Sequence, residues 1–434
     1  MVSREEIHSL CHKYYEENFA AGKKFEPEKT FLPANGKVLD VDDLSMLIDA
    51  SLDMWLTAGR FHEQFEKEFA KFWGLRHSLM VNSGSSANLV AFSALTSPFL
   101  KDRKLKPGDE FITPAACFPT TINPALQYGL TPVFVDVDLK IHNVTPEQIE
   151  EAITPKTKLV MIAHTLGNPY DAKKISEICK EKGIWFVEDC CDALGATIHE
   201  KHVGTFGDLA TCSFYPAHHI TTGEGGAVMT NNPALKKFAE SFRDWGRDCY
   251  CAPAQENTCQ KRYSWKIGEL PLGYDHKYIY SHIGYNLKAT DWQAALGLSQ
   301  LKKVSGFIEK RRYNFNYLKT KLIELGAEEY FDFPTALEGA NPSWFGFLLT
   351  LKNANMNRSS LLQYLNDKKI GTRLLFGGNI TKQPGYLEIN KRVIGDLKNT
   401  NLIMEKSFYV GIWPGLNEEM LNYIASNLMH VKNL

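Results

Sequence analysis

The chain has 434 residues, of which 44% are hydrophobic, and its 49 basic residues balance 50 acidic ones. This balance excludes a basic surface built for nucleic acid or for an anionic membrane. No apolar run reaches the roughly 18 residues that a transmembrane helix requires. The first residues mix charges into an amphipathic pattern without the apolar core of a signal peptide, so we expect a cytoplasmic protein.

The length of the chain favours more than one domain. Residues 1–60 are predicted to form an N-terminal segment of helices and connecting loops. Phe61, Phe65 and Phe69 then recur with helical spacing. Gly74 is a residue type that commonly ends a helix, so we expect a further helix directly before the first strand.

Seven short apolar runs follow, and segments with helical patterning separate most of them. This alternation predicts an α/β fold with a mostly parallel, seven-stranded sheet, which binds ligands at the carboxyl ends of its strands. We place this large domain at residues 61–300, a long helix at 291–326 and a smaller C-terminal α+β domain at 301–434. The seven runs are HSLMVNSG, DEFITPA, TPVFVDVD, KLVMIAHT, IWFVEDC, ATCSFYP and GGAVMTN.

The segment NSGSSANLVAF, residues 82–92, follows the first run and opens a helical pattern. Gly84 and Ser85 would place free backbone N–H groups at a helix N-terminus, which is a site that favours phosphate. A Ser/Gly turn that only caps the helix is the alternative explanation.

The fifth run, IWFVEDC, ends in the acidic pair Glu188 and Asp189. An acid at this place is often a helix cap. The functional alternative is a carboxylate that pairs with the ring nitrogen of a pyridinium cofactor and makes the ring a better electron acceptor.

Residues 213–228, SFYPAHHITTGEGGAV, have the layout of the loop that carries the lysine in pyridoxal-phosphate enzymes. His218 stands where that lysine would stand, and a histidine cannot hold the aldehyde cofactor covalently. The chemistry must therefore differ from ordinary transamination. A core histidine with a purely structural role is the alternative outside this context.

These three segments, in this order, resemble the DegT/DnrJ/EryC1/StrS family of nucleotide-sugar aminotransferases and dehydratases. The resemblance implies a fold-type I pyridoxal-phosphate transferase fold, similar to aspartate aminotransferase, with a nucleotide-sugar substrate. It runs nearly end to end and rests on LTAGRFHEQFE, NSGSSAN, FVDVD, EDCCDALG, GEGG, IGYNLKATDWQAALG and GTRLLFGGNITKQPGY.

The resemblance also implies individual roles. Asn286 would contact the phosphate bound by a neighbouring subunit, which implies a homodimer, and Arg373 would lie near the substrate. The residues implied to hold the cofactor are Gly84, Ser85 and Ser213 at the phosphate, Phe118 against the ring and Asp189 at the pyridine nitrogen.

Within this family, a histidine in place of the lysine marks 3-dehydratases that use pyridoxamine phosphate. The family's lysine falls on His218 and not on the adjacent His219. A neutral imidazole suits removal of a proton from the cofactor's methylene carbon. Either His218 or Tyr215 is then expected to protonate the hydroxyl that leaves carbon 3 of the sugar.

Three of the nine cysteines, Cys249, Cys251 and Cys259, lie within eleven residues of one another. With Cys191 they could hold a zinc ion or a 2Fe–2S cluster, and spacing alone favours zinc over the cluster. Buried, unliganded cysteines are the alternative to a metal site. The spacing C-x57-C-x-C-x7-C resembles that of the iron–sulfur members of the family, which implies a 2Fe–2S cluster instead. Cys190 is the competing upstream ligand.

The cluster would pass electrons singly to complete a deoxygenation that leads to 3,6-dideoxyhexoses. No convincing GxGxxG motif is present, so we expect a separate flavin-containing reductase to supply those electrons. CDP and dTDP remain open as the nucleotide. The competing functions are a cluster-free GDP-sugar dehydratase, a non-catalytic aminotransferase-like sensor, and an ordinary aminotransferase, which would need a lysine at position 218.

Overall fold

The structure, a computed structural model, describes residues 2–20, 22, 24–251, 253, 255–353 and 356–433. None of the helices in these residues combines the length and the apolarity needed to cross a membrane. The α-helices are α1 (Arg4–Asn18), α2 (Val41–Leu52), α3 (Arg60–Trp73), α4 (Gly84–Ala94), α5 (Pro119–Gln127), α6 (Pro146–Ala152), α7 (Ala172–Lys182), α8 (Pro233–Arg243), α9 (Asp291–Glu324), α10 (Arg358–Asp367), α11 (Lys398–Lys406) and α12 (Glu418–Leu428).

The strands form three sheets. The cavity described below lies at the carboxyl ends of strands in the central sheet. The strands are β1 (His77–Val81), β2 (Glu110–Pro114), β3 (Thr131–Val135), β4 (Thr157–Ala163), β5 (Trp185–Asp189), β6 (Thr197–Ile198), β7 (Lys201–His202), β8 (Leu209–Ser213), β9 (Gly226–Thr230), β10 (Phe331–Asp332), β11 (Ala340–Asn341), β12 (Phe347–Leu351), β13 (Thr372–Arg373), β14 (Arg392–Val393) and β15 (Ser407–Val410).

The central sheet has the order β1-β9-β8-β5-β4-β2-β3-β14. The five pairings from β8 to β14 are parallel, whereas β9 runs antiparallel to both β1 and β8. All seven predicted strands are present, and the mostly parallel α/β fold is confirmed. The eighth strand, β14, was not predicted, because two residues are too short to show a periodic pattern.

The long helix α9 leads from the central sheet to a four-stranded C-terminal sheet of order β10-β12-β15-β13. A second hydrophobic core there joins α9 to β12 and β15 through side chains such as Phe315, Phe347 and Phe408. Strand β14 belongs to the C-terminal part of the chain but pairs with β3 in the central sheet. The division into domains at residues 60 and 300 remains a prediction.

Aromatic packing holds in place the start of the loop in which His218 stands at the lysine position. Phe65 and Phe69 of α3 stack at 5.4 Å, and the ring of Phe214 meets them edge-on at 5.3 and 5.0 Å. All three side chains are fully buried. Because Phe214 directly follows Ser213 at the end of β8, this aromatic cluster anchors the start of the loop that carries His218.

Candidate active site

A cavity of about 620 Å³ opens at the carboxyl ends of β4, β5 and β8. Its opposite wall comes from the C-terminal part of the chain, through Phe345, Arg373 and Tyr409. The cavity brings together nine residues that the sequence singles out: Gly84, Ser85, Phe118, Asp189, Cys191, Ser213, Tyr215, His218 and Arg373. The other four, Asn286, Cys249, Cys251 and Cys259, do not line it.

The start of α4 forms one end of the cavity. Ser83 caps this helix, and its Oγ accepts a hydrogen bond from the backbone N–H of Ser86 at 3.0 Å. The N–H groups of Gly84 and Ser85 belong to the first turn and have no partner within the helix, so they favour an anion. A Cβ atom on Gly84 would lie 2.5 Å from the Cβ of Ser213, so this close approach requires a glycine.

The carboxylate of Asp189 lies at the base of the cavity and is held by several donors. Its Oδ2 accepts hydrogen bonds from Asn88 Nδ2 at 2.9 Å and from Thr121 Oγ1 at 2.7 Å, and its Oδ1 accepts from the Cys191 N–H at 3.1 Å. Thr211 Oγ1 in turn donates to Asn88 Oδ1 at 2.7 Å. The carboxylate therefore has a fixed orientation, yet retains acceptor capacity for a ring N–H.

Sequence reasoning missed Asn88 and Thr121. Asn88 ends the NSGSSAN motif one helical turn after Gly84, so its place on the same face of α4 was a usable signal. Thr121 gave no local signal, because its contact with Asp189 spans 68 residues of chain.

Side chains alternate between the two faces of β5, which places its two acidic residues, Glu188 and Asp189, on opposite sides. Asp189 and Cys191 face the cavity, whereas Glu188 and Cys190 lie fully buried on the other side. The Glu188 carboxylate contacts His164 Nε2 at 3.1 Å and accepts three backbone N–H groups at 2.7–2.8 Å. Glu188 therefore stabilises the fold, and Cys191 is the cysteine of the adjacent pair that reaches the cavity.

His218 lies in the cavity with its side chain 15% exposed. Burial, and secondarily the charge of Arg311, lowers the pKa of His218 to about 4, so the imidazole is neutral at neutral pH. Its Nδ1 lies 3.4 Å from Asp192 Oδ1. This contact would become ionic only when the ring accepts a proton, and Nδ1 makes no hydrogen bond within the described part of the chain. Burial, and then the charge of Asp189, raises the pKa of Asp192 to about 7.

The adjacent histidine has a different role. His219 is 3% exposed, and its Nε2 donates a hydrogen bond to the backbone carbonyl of Ser343 at 2.8 Å. It does not line the cavity. Of the two neighbouring histidines, His218 is therefore the one placed for chemistry. Asp192, which sequence reasoning also missed, is the acid nearest to the Nδ1 atom of His218.

The outer part of the cavity is more open and carries both aromatic and polar groups. Phe118 and Tyr215 are 48% and 51% exposed, and Arg373 adds a cation. On the same wall, Tyr409 Oη accepts a hydrogen bond from Asn35 Nδ2 at 2.9 Å. Ring faces, one cation and hydroxyl or amide groups suit a ligand that combines a sugar with phosphate.

These residues fit a pyridoxal-type cofactor. The first turn of α4 suits its phosphate, the remaining acceptor capacity of Asp189 suits its ring nitrogen, and the exposed face of Phe118 suits its ring. His218 adds a neutral base whose Nδ1 has no hydrogen-bond partner among the described side chains and backbone. No side chain of this set can bind the cofactor as a lysine would.

The four cysteines connected by spacing are divided between two cavities. Cys191 lines the main one, whereas Cys249, Cys251 and Cys259 line a small separate cavity. In the described part of the chain, no three of them bring their sulfur atoms within 4.8 Å of one another. A zinc ion needs four ligands at one point, whereas a two-iron cluster takes its thiolates on two separate irons. The three loop thiols fit a thiolate site, but the arrangement with Cys191 is not formed here.

Asn286 lies outside the cavity and is exposed. Its side-chain oxygen accepts a hydrogen bond from Lys288 Nζ at 2.9 Å, and its backbone pairs with Asp244. The predicted contact of Asn286 with the phosphate of a neighbouring subunit remains a prediction.

We predict that Gly84→Ala weakens cofactor binding, because the added Cβ would push Ser213 away from the start of α4. The dissociation constant for pyridoxal phosphate, measured by fluorescence titration, should rise at least about tenfold, which corresponds to about 1.4 kcal/mol. Gly306→Ala is the matched control, because this helical glycine has open space around it. Equal binding by Gly84→Ala and the native protein would contradict the proposed phosphate site.

Comparison with known proteins identifies the family. A model of the DegT/DnrJ/EryC1/StrS aminotransferase family matches residues 38–429. Lipopolysaccharide biosynthesis protein RfbH of Salmonella typhimurium is 53% identical over 424 residues, which cover 98% of this chain and 96% of that protein. The dTDP-4-dehydro-2,6-dideoxy-D-glucose 3-dehydratase of Saccharopolyspora spinosa is 50% identical over 405 residues, which cover 93% of this chain and 87% of the relative.

Solved structures support the fold as well. The Escherichia coli GDP-4-keto-6-deoxy-D-mannose-3-dehydratase, solved with bound hydrated pyridoxal phosphate, has a TM-score of 0.81 and 30% identity, covering 92% of this chain and 99% of that one. An aminotransferase from Psychrobacter cryohalolentis, at 24% identity and a TM-score of 0.80, shares the fold. The predicted aminotransferase-like fold is confirmed, and the chain belongs to the DegT/DnrJ/EryC1/StrS aminotransferase family.

Proposed function

We propose that this protein is a nucleotide-sugar 3-dehydratase that uses pyridoxamine phosphate. It would remove the hydroxyl from carbon 3 of a nucleotide-linked 4-keto-6-deoxyhexose. The observation that carries this proposal is His218, which occupies the lysine position inside a cavity that also contains the phosphate cradle and Asp189. Relatives at 50% and 34% identity are named as nucleotide-sugar 3-dehydratases, which supports the same reaction.

Binding and orientation come from groups that the fold already fixes. Gly84, Ser85 and Ser213 would hold the phosphate, and Phe118 would pack against the ring. Asp189 would keep the ring nitrogen protonated through a charge-assisted hydrogen bond. When bound, the cofactor supplies an amine that reacts with the ketone at carbon 4 of the sugar and a ring that accepts an electron pair.

His218 would act as the base that takes a proton from the methylene carbon of the cofactor. Its imidazole is neutral at neutral pH because burial lowers its pKa to about 4. Asp192, with an oxygen 3.4 Å from Nδ1, would stabilise the imidazolium that forms when the ring accepts the proton. His218 or Tyr215 would then give a proton to the hydroxyl that departs from carbon 3.

We propose CDP-4-keto-6-deoxy-D-glucose as the substrate, with the dTDP-linked sugar as the alternative. Arg373, exposed on the outer wall, would contact the substrate. The dideoxy sugar named for one relative carries dTDP, and the name of another refers to lipopolysaccharide biosynthesis. The lipopolysaccharide name supports a sugar destined for a surface polysaccharide, and the dTDP name supports the alternative nucleotide.

We further propose that Cys191, Cys249, Cys251 and Cys259 bind a 2Fe–2S cluster, which would supply electrons one at a time from a separate flavin-containing reductase. Their spacing and the shared cavity of the three loop thiols support this site. Burial raises the pKa of Cys191 well above its usual range, so cluster binding would release a proton there. We also propose that the protein forms a homodimer in which Asn286 of one subunit lies near the cofactor phosphate bound by the other.

The second candidate function is a cluster-free dehydratase of the kind that acts on GDP-4-keto-6-deoxymannose. Two observations favour it: Cys191 lies in a different cavity from the other three cysteines, and solved GDP-sugar 3-dehydratases share this fold. It accounts for His218 but leaves the dense cysteine loop without a role.

We predict that His218→Asn slows exchange of the cofactor's methylene protons with solvent at least about 100-fold, since general-base catalysis contributes that much or more. Exchange can be followed by NMR in deuterium oxide. In the native protein His218 itself should stay neutral from about pH 8 to about pH 6, because its pKa is lowered to about 4, so any fall in the rate over this range should follow the protonation of Asp192, whose pKa is about 7. His219→Gln is the control and should retain exchange. Unchanged exchange in His218→Asn would assign the base elsewhere.

We predict that the protein purified without oxygen contains about two iron atoms per chain and absorbs visible light through thiolate-to-iron charge transfer. Cys251→Ser and Cys191→Ser should each lose iron, measured by elemental analysis and electron paramagnetic resonance after reduction. Cys11→Ser, on helix α1 and away from both cavities, should keep it. Native protein loaded with zinc and free of iron would favour the cluster-free candidate.

A further inference from the structure

Arg311 is a fully buried arginine on α9 that lies behind His218. Its guanidinium group donates hydrogen bonds to three backbone carbonyls: that of His218 at 3.3 Å, that of Phe345 at 3.1 Å and that of Trp344 at 3.4 Å. One side chain thereby joins α9, the His218 loop and the segment that precedes β12.

This arrangement costs free energy, because a buried charge is ordinarily paired with an opposite charge. No carboxylate among the described residues lies within 4.0 Å of Arg311, and its Nε has no hydrogen-bond partner there. The guanidinium therefore makes its direct hydrogen bonds only to backbone carbonyls among the described residues, and the charge of Asp192 favours it at longer range. An arginine used only to fill space in a core would be replaced at lower cost by an apolar side chain.

Two of the contacts of Arg311 are made to His218 and to the residue that packs against the His218 ring. Its hydrogen bond to the His218 carbonyl fixes the main chain from which the imidazole extends. Its bond to the Phe345 carbonyl fixes the residue whose ring packs against that imidazole, with centroids 5.2 Å apart. The Arg311 guanidinium carbon itself lies 5.7 Å from the Phe345 ring centre.

We propose that Arg311 is a positioning residue for proton transfer: it holds His218 in the orientation that reaches the reacting carbon. The proposal rests on the function proposed above for His218. A planar guanidinium can bond two or three separated carbonyls at once, whereas a lysine ammonium is a compact donor on a flexible stem. Small displacements of a catalytic group lower rates strongly, so lysine should not replace Arg311.

Arg312, the next residue on α9, offers a matched control. It also donates to three backbone carbonyls, those of Pro342, Gly195 and Asn341, at 2.9–3.4 Å. It is partly exposed and does not contact the His218 loop. Arg312→Lys therefore removes a similar set of hydrogen bonds without acting on the base.

The test compares Arg311→Lys, His218→Asn, the double variant and Arg312→Lys, each loaded with pyridoxamine phosphate. The measured quantities are methylene proton exchange and, independently of activity, the cofactor dissociation constant. Arg311→Lys should slow exchange by about 10- to 100-fold and leave the dissociation constant within about twofold of the native value. In the His218→Asn background it should cause no further loss, because residues that act together are not additive. Arg312→Lys should exchange at the native rate.

Three results would overturn the role of Arg311: native exchange in Arg311→Lys, a loss that adds to that of His218→Asn, or an equal loss in Arg312→Lys. Native exchange in His218→Asn would instead refute the proposed base, so the two failures are distinguishable. If Arg311→Lys does not fold, Phe345→Leu can be used instead. It weakens the packing of residue 345 against the His218 ring and leaves Arg311 in place. It should show the same non-additivity with His218→Asn, and additive losses would again overturn the proposal.

Discussion

The carboxylate of Asp189 is the point to which the other parts of the site are tied. Asn88, which donates to it, lies on α4 one turn after the phosphate cradle, and Thr121 lies on α5 just after Phe118. Because both donate to the same oxygen, the distances between phosphate site, ring wall and ring nitrogen are set by one buried group. Hydrogen bonds to an ionised acceptor are stronger than neutral ones, so this geometry is costly to deform.

His218, the proposed base, must be neutral, and a different part of the chain provides the surroundings that keep it so. Asp189 must stay charged to bind a protonated ring, whereas His218 must stay neutral to accept a proton. Desolvation and the nearby charge of Arg311 lower the pKa of His218, and the same burial raises that of Asp192 beside it. His218 thus stands at the lysine position in surroundings that keep its imidazole neutral and able to accept a proton.

Local signals were sufficient to predict the seven main strands, helix α3 up to Gly74 and the long helix α9, because each has a clear period or an end signal. Nine of the thirteen candidate residues meet in one cavity, since motifs at the carboxyl ends of parallel strands converge there. Asn88, Thr121, Asp192 and Arg311 were not predicted as site residues. Three of them act through contacts between distant segments, and Asp192 depends on burial that no short pattern reveals. The place of Cys191 relative to the cysteine loop likewise depends on how the loop packs and not on spacing.

The proposed reaction is dehydration of the sugar at carbon 3, in place of transamination at carbon 4. The most direct measurement is mass spectrometry and NMR of CDP-4-keto-6-deoxy-D-glucose after incubation with the protein and pyridoxamine phosphate in water labelled with oxygen-18, without a reductase. Reversible loss of the hydroxyl predicts that label enters carbon 3 and that no amino sugar accumulates. A 4-amino sugar with an unlabelled carbon 3 would contradict dehydration and indicate transamination.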